Sequence, residues 1–256
     1  MSLLEIIEPY ALAGATATRG TGADNLRTPD PKEVWADSAA GSVATLTFDL
    51  GAARPVDTIF LGYVTPPAAS ATWAIRGGLA SADETAILAT SALRVPDVAG
   101  DFPEMSHALW AGASQTIRYL AIDVAQPSGF APLMVGVPVI GAAFVADLGQ
   151  EWGAGRKPID TGTATSLLSG GFAIVEGARK SSFSWTFGDL TEEEADALER
   201  IALRLGTTKP GLVIERPDRT AGLRSRIHYG LFQQWRQYER RNRRQTRWDI
   251  SIEQWV

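Results

Sequence analysis

The stretch that most limits what this chain can fold into is SSFSWTFGDLTEEEADALERIALRLGTTKPGLVIE, residues 181–215. Phe183, Trp185 and Phe187 alternate with Ser182, Ser184 and Thr186. That period of two places three aromatics on one face of a strand and three hydroxyls on the other. The period then changes. Thr191 and Glu194 have the spacing of a capping box, with Leu190 placed as a hydrophobic staple. Ala195, Leu198, Ala202 and Leu205 continue as a helical stripe with Ile201 beside it. Glu192, Glu193 and Glu194 lie at the positive end of the helix dipole, and Arg200 and Arg204 toward the negative end. Gly206 stops the helix, and Leu212–Ile214 follow the Lys209–Pro210–Gly211 turn as a second apolar strand. A single amphipathic helix among strands must lay its stripe on a sheet.

The 256 residues fit one large or two small domains, and the halves differ enough in composition to predict two. There is no cysteine, which excludes a disulfide scaffold, a thiolate metal site and a cysteine nucleophile. Met1–Tyr10 lacks the basic start and long apolar run of a signal peptide, so synthesis in the cytoplasm without export is expected. The longest apolar candidate, residues 133–145, is broken by Gly136, Pro138 and Gly141, and no membrane insertion is expected. The net charge is −5, but a basic excess, nearly all arginine, gathers after Arg216.

Outside the 181–215 stretch the chain reads as strand and loop. Leu3–Ile7 is a short strand stopped by Pro9. Leu46, Phe48 and Leu50 alternate with polar residues, Gly51–Arg54 reads as a turn, and Ile59, Leu61 and Tyr63 alternate again. Trp73–Arg76, Thr116–Val124 and Val135–Phe144 complete a series of short strands of the kind that builds a sandwich. Residues 149–165 read as a linker, Leu167–Glu176 as a strand, and Ile227–Tyr238 and Trp248–Glu253 as the arms of a long hairpin with an arginine-rich tip. The predicted fold class is mainly β: two β-sandwich domains, the C-terminal one carrying a single packed α-helix and a long β-hairpin. The predicted boundaries are 1–24, a strand and loop that could join the C-terminal domain; 25–147, the first sandwich; and 148–256, the second.

Two resemblances follow from these residues. Thr45-Leu46-Thr47-Phe48-Asp49-Leu50-Gly51, Val56-Asp57-Thr58-Ile59, Trp73–Gly77, Arg118-Tyr119-Leu120-Ala121-Ile122-Asp123 and Val135–Ala142 resemble the strands of a discoidin-type, galactose-binding-like jelly roll. That resemblance covers residues 25–147 and implies a binding fold whose members often take glycans or lipids through loops at one end. The order of elements from Phe183 to Val256 resembles the tail-tube-like domain of long-tailed bacteriophages, including the ring-forming domain of distal tail proteins. It implies a structural virion protein of the tail tip or baseplate. Its partners would be itself in a ring, expected to be a hexamer, with the tail tube and other tip proteins. Its place would be the virion tail.

Catalytic signatures are missing. The two histidines, His107 in a loop and His228 in a strand, have no partners in the sequence. No H-x-x-x-H, G-x-S-x-G or phosphate-binding loop occurs, so no enzyme, cofactor or metal is expected. Three readings compete. One is the ring-forming tail protein. The alternative is a carbohydrate-binding module for a host-surface glycan, with Trp35 and Trp110 in loops as stacking platforms and Asp37 and Arg76 as polar contacts. The third is an enzyme whose site forms only in three dimensions, marked by a carboxyl of raised pKa in a cleft. The arginines Arg236, Arg240, Arg241, Arg243, Arg244 and Arg247 could contact nucleic acid. The acidic chain and the lack of a recognition motif favour a subunit interface instead, with Arg236, Arg240, Arg241, Arg243 and Arg244 facing Glu192 and Glu193 of a neighbour.

Overall fold

The structure is a computed structural model, and it describes residues 3–65, 67–81, 84–98, 105–240 and 245–256. In chain order the strands are β1 (Glu5–Ile7), β2 (Gly14–Ala17), β3 (Trp35–Ala36), β4 (Val43–Val64), β5 (Thr72–Gly78), β6 (Thr85–Ala92), β7 (Ser106–Ala125), β8 (Met134–Val135), β9 (Val137–Gly141) and β10 (Ala143–Val145). Then come β11 (Gly155–Asp160), β12 (Thr163–Ser166), β13 (Phe172–Val175), β14 (Arg179–Leu190), the helix α1 (Glu192–Leu205), β15 (Pro210–Ile214), β16 (Ile227–Trp235), β17 (Glu239–Arg240) and β18 (Thr246–Gln254). The fold is mainly β with one α-helix, as its alternating sequence requires. It divides into two compact units: residues 1–145 with 212–227, and residues 146–211 with 228–256. Residues 1–24 therefore fall in the first unit, where β2 pairs antiparallel with β4, and so does the excursion 212–227.

The first unit is organised by one long antiparallel ribbon, β4 with β7, running from Val43↔Ala125 to Val64↔Ser106. The sequence predicts two strands and a turn at Gly51–Arg54. The chain instead stays in one ladder, with a register shift between Asp49 and Arg54 and Gly51 at φ 75° absorbing the irregularity. β2, β5, β6 and β9 complete this sheet, β5 running on through Gly77 and Gly78. Leu46, Phe48, Leu61, Ile75, Leu120 and Ile122 are among the wholly buried core residues. A separate ladder in the same unit sets β1 between β10 and the Leu212–Ile214 part of β15.

In the second unit β14 lies between β11 and β18, and β16 and β17 pair with β18. Phe183, Trp185 and Phe187 are buried, and Phe183 stacks on His228 at 4.9 Å. Trp185 packs edge-on to Phe187 and Phe232. The helix answers its sequence closely. Thr191 accepts from the Glu194 N–H at 3.2 Å, while Glu194 accepts from the Thr191 N–H at 2.7 Å. Ala195, Leu198, Ile201 and Leu205 are buried, and Gly206 donates its N–H to Ala202 in closing the helix. Gly211 sits where a Cβ would come within 2.7 Å of the Phe232 ring and 3.2 Å of Leu205, so helix and sheet close on each other there.

Two expectations change in this unit. Residues 155–160, read as linker, form the edge strand β11, whose charges and Pro158 suit an edge and hide the strand pattern. The strand from Ile227 ends at Trp235, short of Tyr238. The tip residues Arg241, Arg243 and Arg244 lie outside the described residues.

Removing the N-cap hydroxyl with Thr191→Ala should cost about 1 kcal/mol. Leu198→Ala should cost about 2–5 kcal/mol, the range for a buried leucine. Denaturant unfolding checks both, and equal small effects would contradict a helix held mainly by its packed stripe.

Candidate functional site

The candidate glycan residues part company in the structure. Trp35 is not a loop platform. It pairs with Val135 in the β3–β8 ladder, its indole is wholly buried, and Nε1–H donates to the Arg19 carbonyl at 3.1 Å. An indole with its faces in the core and its polar atom satisfied offers nothing to a ligand. Asp37 is buried too, and its carboxylate receives the Arg19 guanidinium at 2.7 Å. Arg19 also donates to the carbonyls of Ala39 and Ser42 and to the Ser42 hydroxyl, so this is a clamp on the 37–42 loop. Arg76 lies on β5, paired with Asp123 at 3.2 Å and Glu84 at 3.4 Å. Thr45 donates to the same Asp123 at 2.6 Å, which makes a polar network spanning three strands.

Trp110 is different. It lies in β7, not in a loop, half-buried at the margin of the core. Its indole lies over Gly112, where a Cβ would come within 2.6 Å of Cζ2 and 3.2 Å of Nε1. Only glycine leaves room for the ring at that same-face position. The indole lines a cleft of about 410 Å³, with Trp73 and Leu88 as further apolar wall and Arg94, Asp218 and Arg219 as polar groups. Backbone bonds hold this wall: Val95 N–H donates to His107 O, and Leu223 N–H donates to Pro96 O, both at 2.9 Å. Arg224 Nε donates to Met105 O at 3.0 Å.

A second hollow of about 350 Å³ shares Ala111, Pro217 and Asp218 with the first. Its other end is acidic, lined by Glu5 and Asp57. Asp57 is tied down, accepting from Ala143 N–H at 2.8 Å and from the Thr58 hydroxyl at 2.9 Å. Glu5 Oε2 is buried without a hydrogen-bond partner. Burial, and then the charge of Asp57, push the Glu5 carboxyl up to about 7. Two neighbouring hollows thus differ in character: one has an aromatic wall, the other a carboxyl that carries its proton near neutrality.

Both histidines are buried among aromatic side chains. His107 lies in β7, not a loop, and Nδ1 accepts the N–H of Tyr63 at 3.1 Å. Tyr63 is held there at φ 56°, in the left-handed region. Burial, with Arg224 nearby, lowers the imidazole to about 3, so it is neutral and structural. His228 is buried against Phe183. Among the described residues no cluster of His, Cys, Asp and Glu is placed to hold a metal, and no helix is long and apolar enough to cross a membrane.

In the second unit Arg240 pairs with Glu192 at 2.6 Å within the one chain, where the sequence reading sets them across a subunit boundary. Both side chains are more than half exposed, so the pair adds at most about 1 kcal/mol. Arg236 and Arg247 approach Asp249 at 3.8 and 3.5 Å. Glu193 is exposed on the first helical turn.

No family description and no curated protein matches this sequence. Solved structures similar to it include chitosan-binding module 1 from a chitosanase/glucanase of Paenibacillus sp. IK-5. It is 14% identical, with 53% of this chain and 99% of that one covered, at a TM-score of 0.42. The CBM32 of AlyQ in complex with 4,5-unsaturated mannuronic acid is 20% identical, covering 52% and 97%, at 0.40. CBM32-3 from a family 31 glycoside hydrolase of Clostridium perfringens is 14% identical, covering 53% and 94%, at 0.43.

Because the folded-state pKa of Glu5 is raised, its contribution to stability is full below the unfolded value of 4.5. It is lost as pH rises to about 7. Glu5→Gln should therefore stabilise the protein at pH 8 and change little at pH 4. Thermal melts at the two pH values check this; an equal shift at both would contradict a protonated Glu5.

Proposed function

We propose that the first unit binds a saccharide in the Trp110 cleft. One observation carries the reading: an indole laid over Gly112, inside a cleft where Arg94, Asp218 and Arg219 supply polar contacts. Sugars present C–H faces to aromatic rings and hydroxyl edges to charged side chains, and a cleft of this composition meets both needs. Its volume lies within the roughly 300–1,000 Å³ usual for small-ligand sites. Trp110→Ala should abolish glycan-array binding by the intact protein, while Trp35→Phe should leave binding unchanged. An array on which wild type and Trp110→Ala give the same signals would sink the reading. Glu5 gives an enzymatic version its one foothold, as a pocket carboxyl of raised pKa. Reducing-sugar release lost in Glu5→Gln would establish hydrolysis.

A second reading, a ring-forming protein of a phage tail tip sited in the virion tail, is favoured by the β12–β13 hairpin. Every residue from 163 to 175 is exposed, none is charged, and Leu168, Phe172, Ile174 and Val175 stand in solvent. An isolated two-stranded hairpin is marginal in water, and exposed apolar surface of this kind suits burial in an assembly. Replacing residues 163–175 with a short Gly-Ser turn should convert oligomer to monomer in multi-angle light scattering and electron microscopy. A wild-type protein that is monomeric both alone and with tail tube would overturn this reading.

A further inference from the structure

The Trp110 cleft carries two guanidiniums that no carboxylate answers. Leu93 and Val95 are buried, and Arg94 between them lies on the other side of the chain, where it lines the cleft. The backbone around it is fixed: Leu93 N–H donates to Ala71 O and Val95 N–H to His107 O, both at 2.9 Å. Arg219 comes from a different segment, a turn in which its N–H donates to Arg216 O at 3.2 Å. Its Nε donates to Ala221 O at 2.9 Å, which anchors the guanidinium and leaves both terminal nitrogens to other partners. Both side chains are half-buried, and neither forms an ion pair among the described residues. Arg224 and Arg226, close by in sequence, are committed: Arg224 to Met105 O and Asp97, and Arg226 to Glu215.

The charges select the ligand. Asp218, the one acidic side chain lining the cleft among the described residues, is exposed and stands on the border with the acidic hollow. Glu5 and Asp57 line that hollow and not the cleft. A neutral sugar would stack on Trp110 but leave two half-buried cations facing only water. A sugar acid meets both demands: its C–H face lies on the indole, and its carboxylate takes the paired N–H groups of a guanidinium in one plane. We propose, resting on the saccharide reading of this cleft, that its ligand is an acidic saccharide, a uronate whose carboxylate is held by Arg94 and Arg219.

The test is an array of galacturonate, glucuronate and mannuronate trimers, each printed beside its methyl ester and beside neutral trimers, probed with the full chain. Each ester keeps the ring and its hydroxyls and loses only the charge. For the best pair, calorimetry should show the acid binding at least about tenfold more tightly than its ester, the difference made by one charged hydrogen bond. Added salt should weaken the acid and not the ester. The double variant Arg94→Gln with Arg219→Gln should bring acid and ester to equal affinity, and Trp110→Ala should weaken both. Acid and ester bound equally by wild type, or a preference for the acid that persists in the double variant, would overturn the proposal and leave the saccharide reading standing. No binding to any saccharide, neutral ones included, would overturn both.

Discussion

The ladder between β4 and β7 is the constraint on which the first unit depends. Both strands are about twenty residues long, and their pairing survives three register shifts. A ladder that long fixes the face of every side chain along it, since a slip of one residue would turn the whole set over. That is why Ile59 and Leu61 reach the core together with Ala108, their neighbour across the ladder. The same register brings Asp57 and Thr58 beside Ala111 and Gly112, which is where the acidic hollow opens. The cleft is thus a consequence of strand register, closed on its other side by the 217–223 segment.

The parts of this architecture that were legible in the sequence are those written in one period. The alternation of Phe183, Trp185 and Phe187, the capping box at Thr191, and the buried Leu198 and Leu205 all appear where local pattern puts them. What local pattern could not show was long-range pairing. His107 and Trp110 sit in a stretch that looks like loop because its strand character comes from β4 across the ladder. Residues 155–160 look like linker because an edge strand needs charge and proline more than alternation.

Of the four residues that the sequence offers as glycan contacts, Trp110 lines the open cleft, and Trp35, Asp37 and Arg76 are engaged elsewhere. Trp35 and Trp110 look alike in sequence, each an aromatic among polar and small residues. The difference lies in what each meets: Trp35 finds the Arg19 carbonyl and a closed core, and Trp110 finds Gly112 and open space. Asp37 and Arg76 were reasonable as polar contacts, but each is committed to a partner far off in the chain. Glu5, Asp57 and Asp218 carry no shared motif. They come together only because β1, β4 and the 217–223 segment do.

The unpartnered Glu5 oxygen sharpens what the acidic hollow beside the cleft can recognise. A buried carboxylate with no donor is unfavourable, and protonation relieves it by turning an acceptor into a donor. Above pH 7 the charged form returns and can be stabilised only by a donor from outside. Asp57 cannot help, since it is itself an acceptor already engaged by Ala143 and Thr58. A ligand that offers a hydroxyl to Glu5 would therefore gain most where Glu5 is ionised, and if the proposed saccharide extends from the Trp110 cleft into the acidic hollow, its binding should strengthen as pH rises from 6 to 8. Calorimetry across that range with wild type and Glu5→Gln decides the matter, because the pH dependence should vanish in the variant. A dependence that persists in Glu5→Gln would place the titrating group elsewhere.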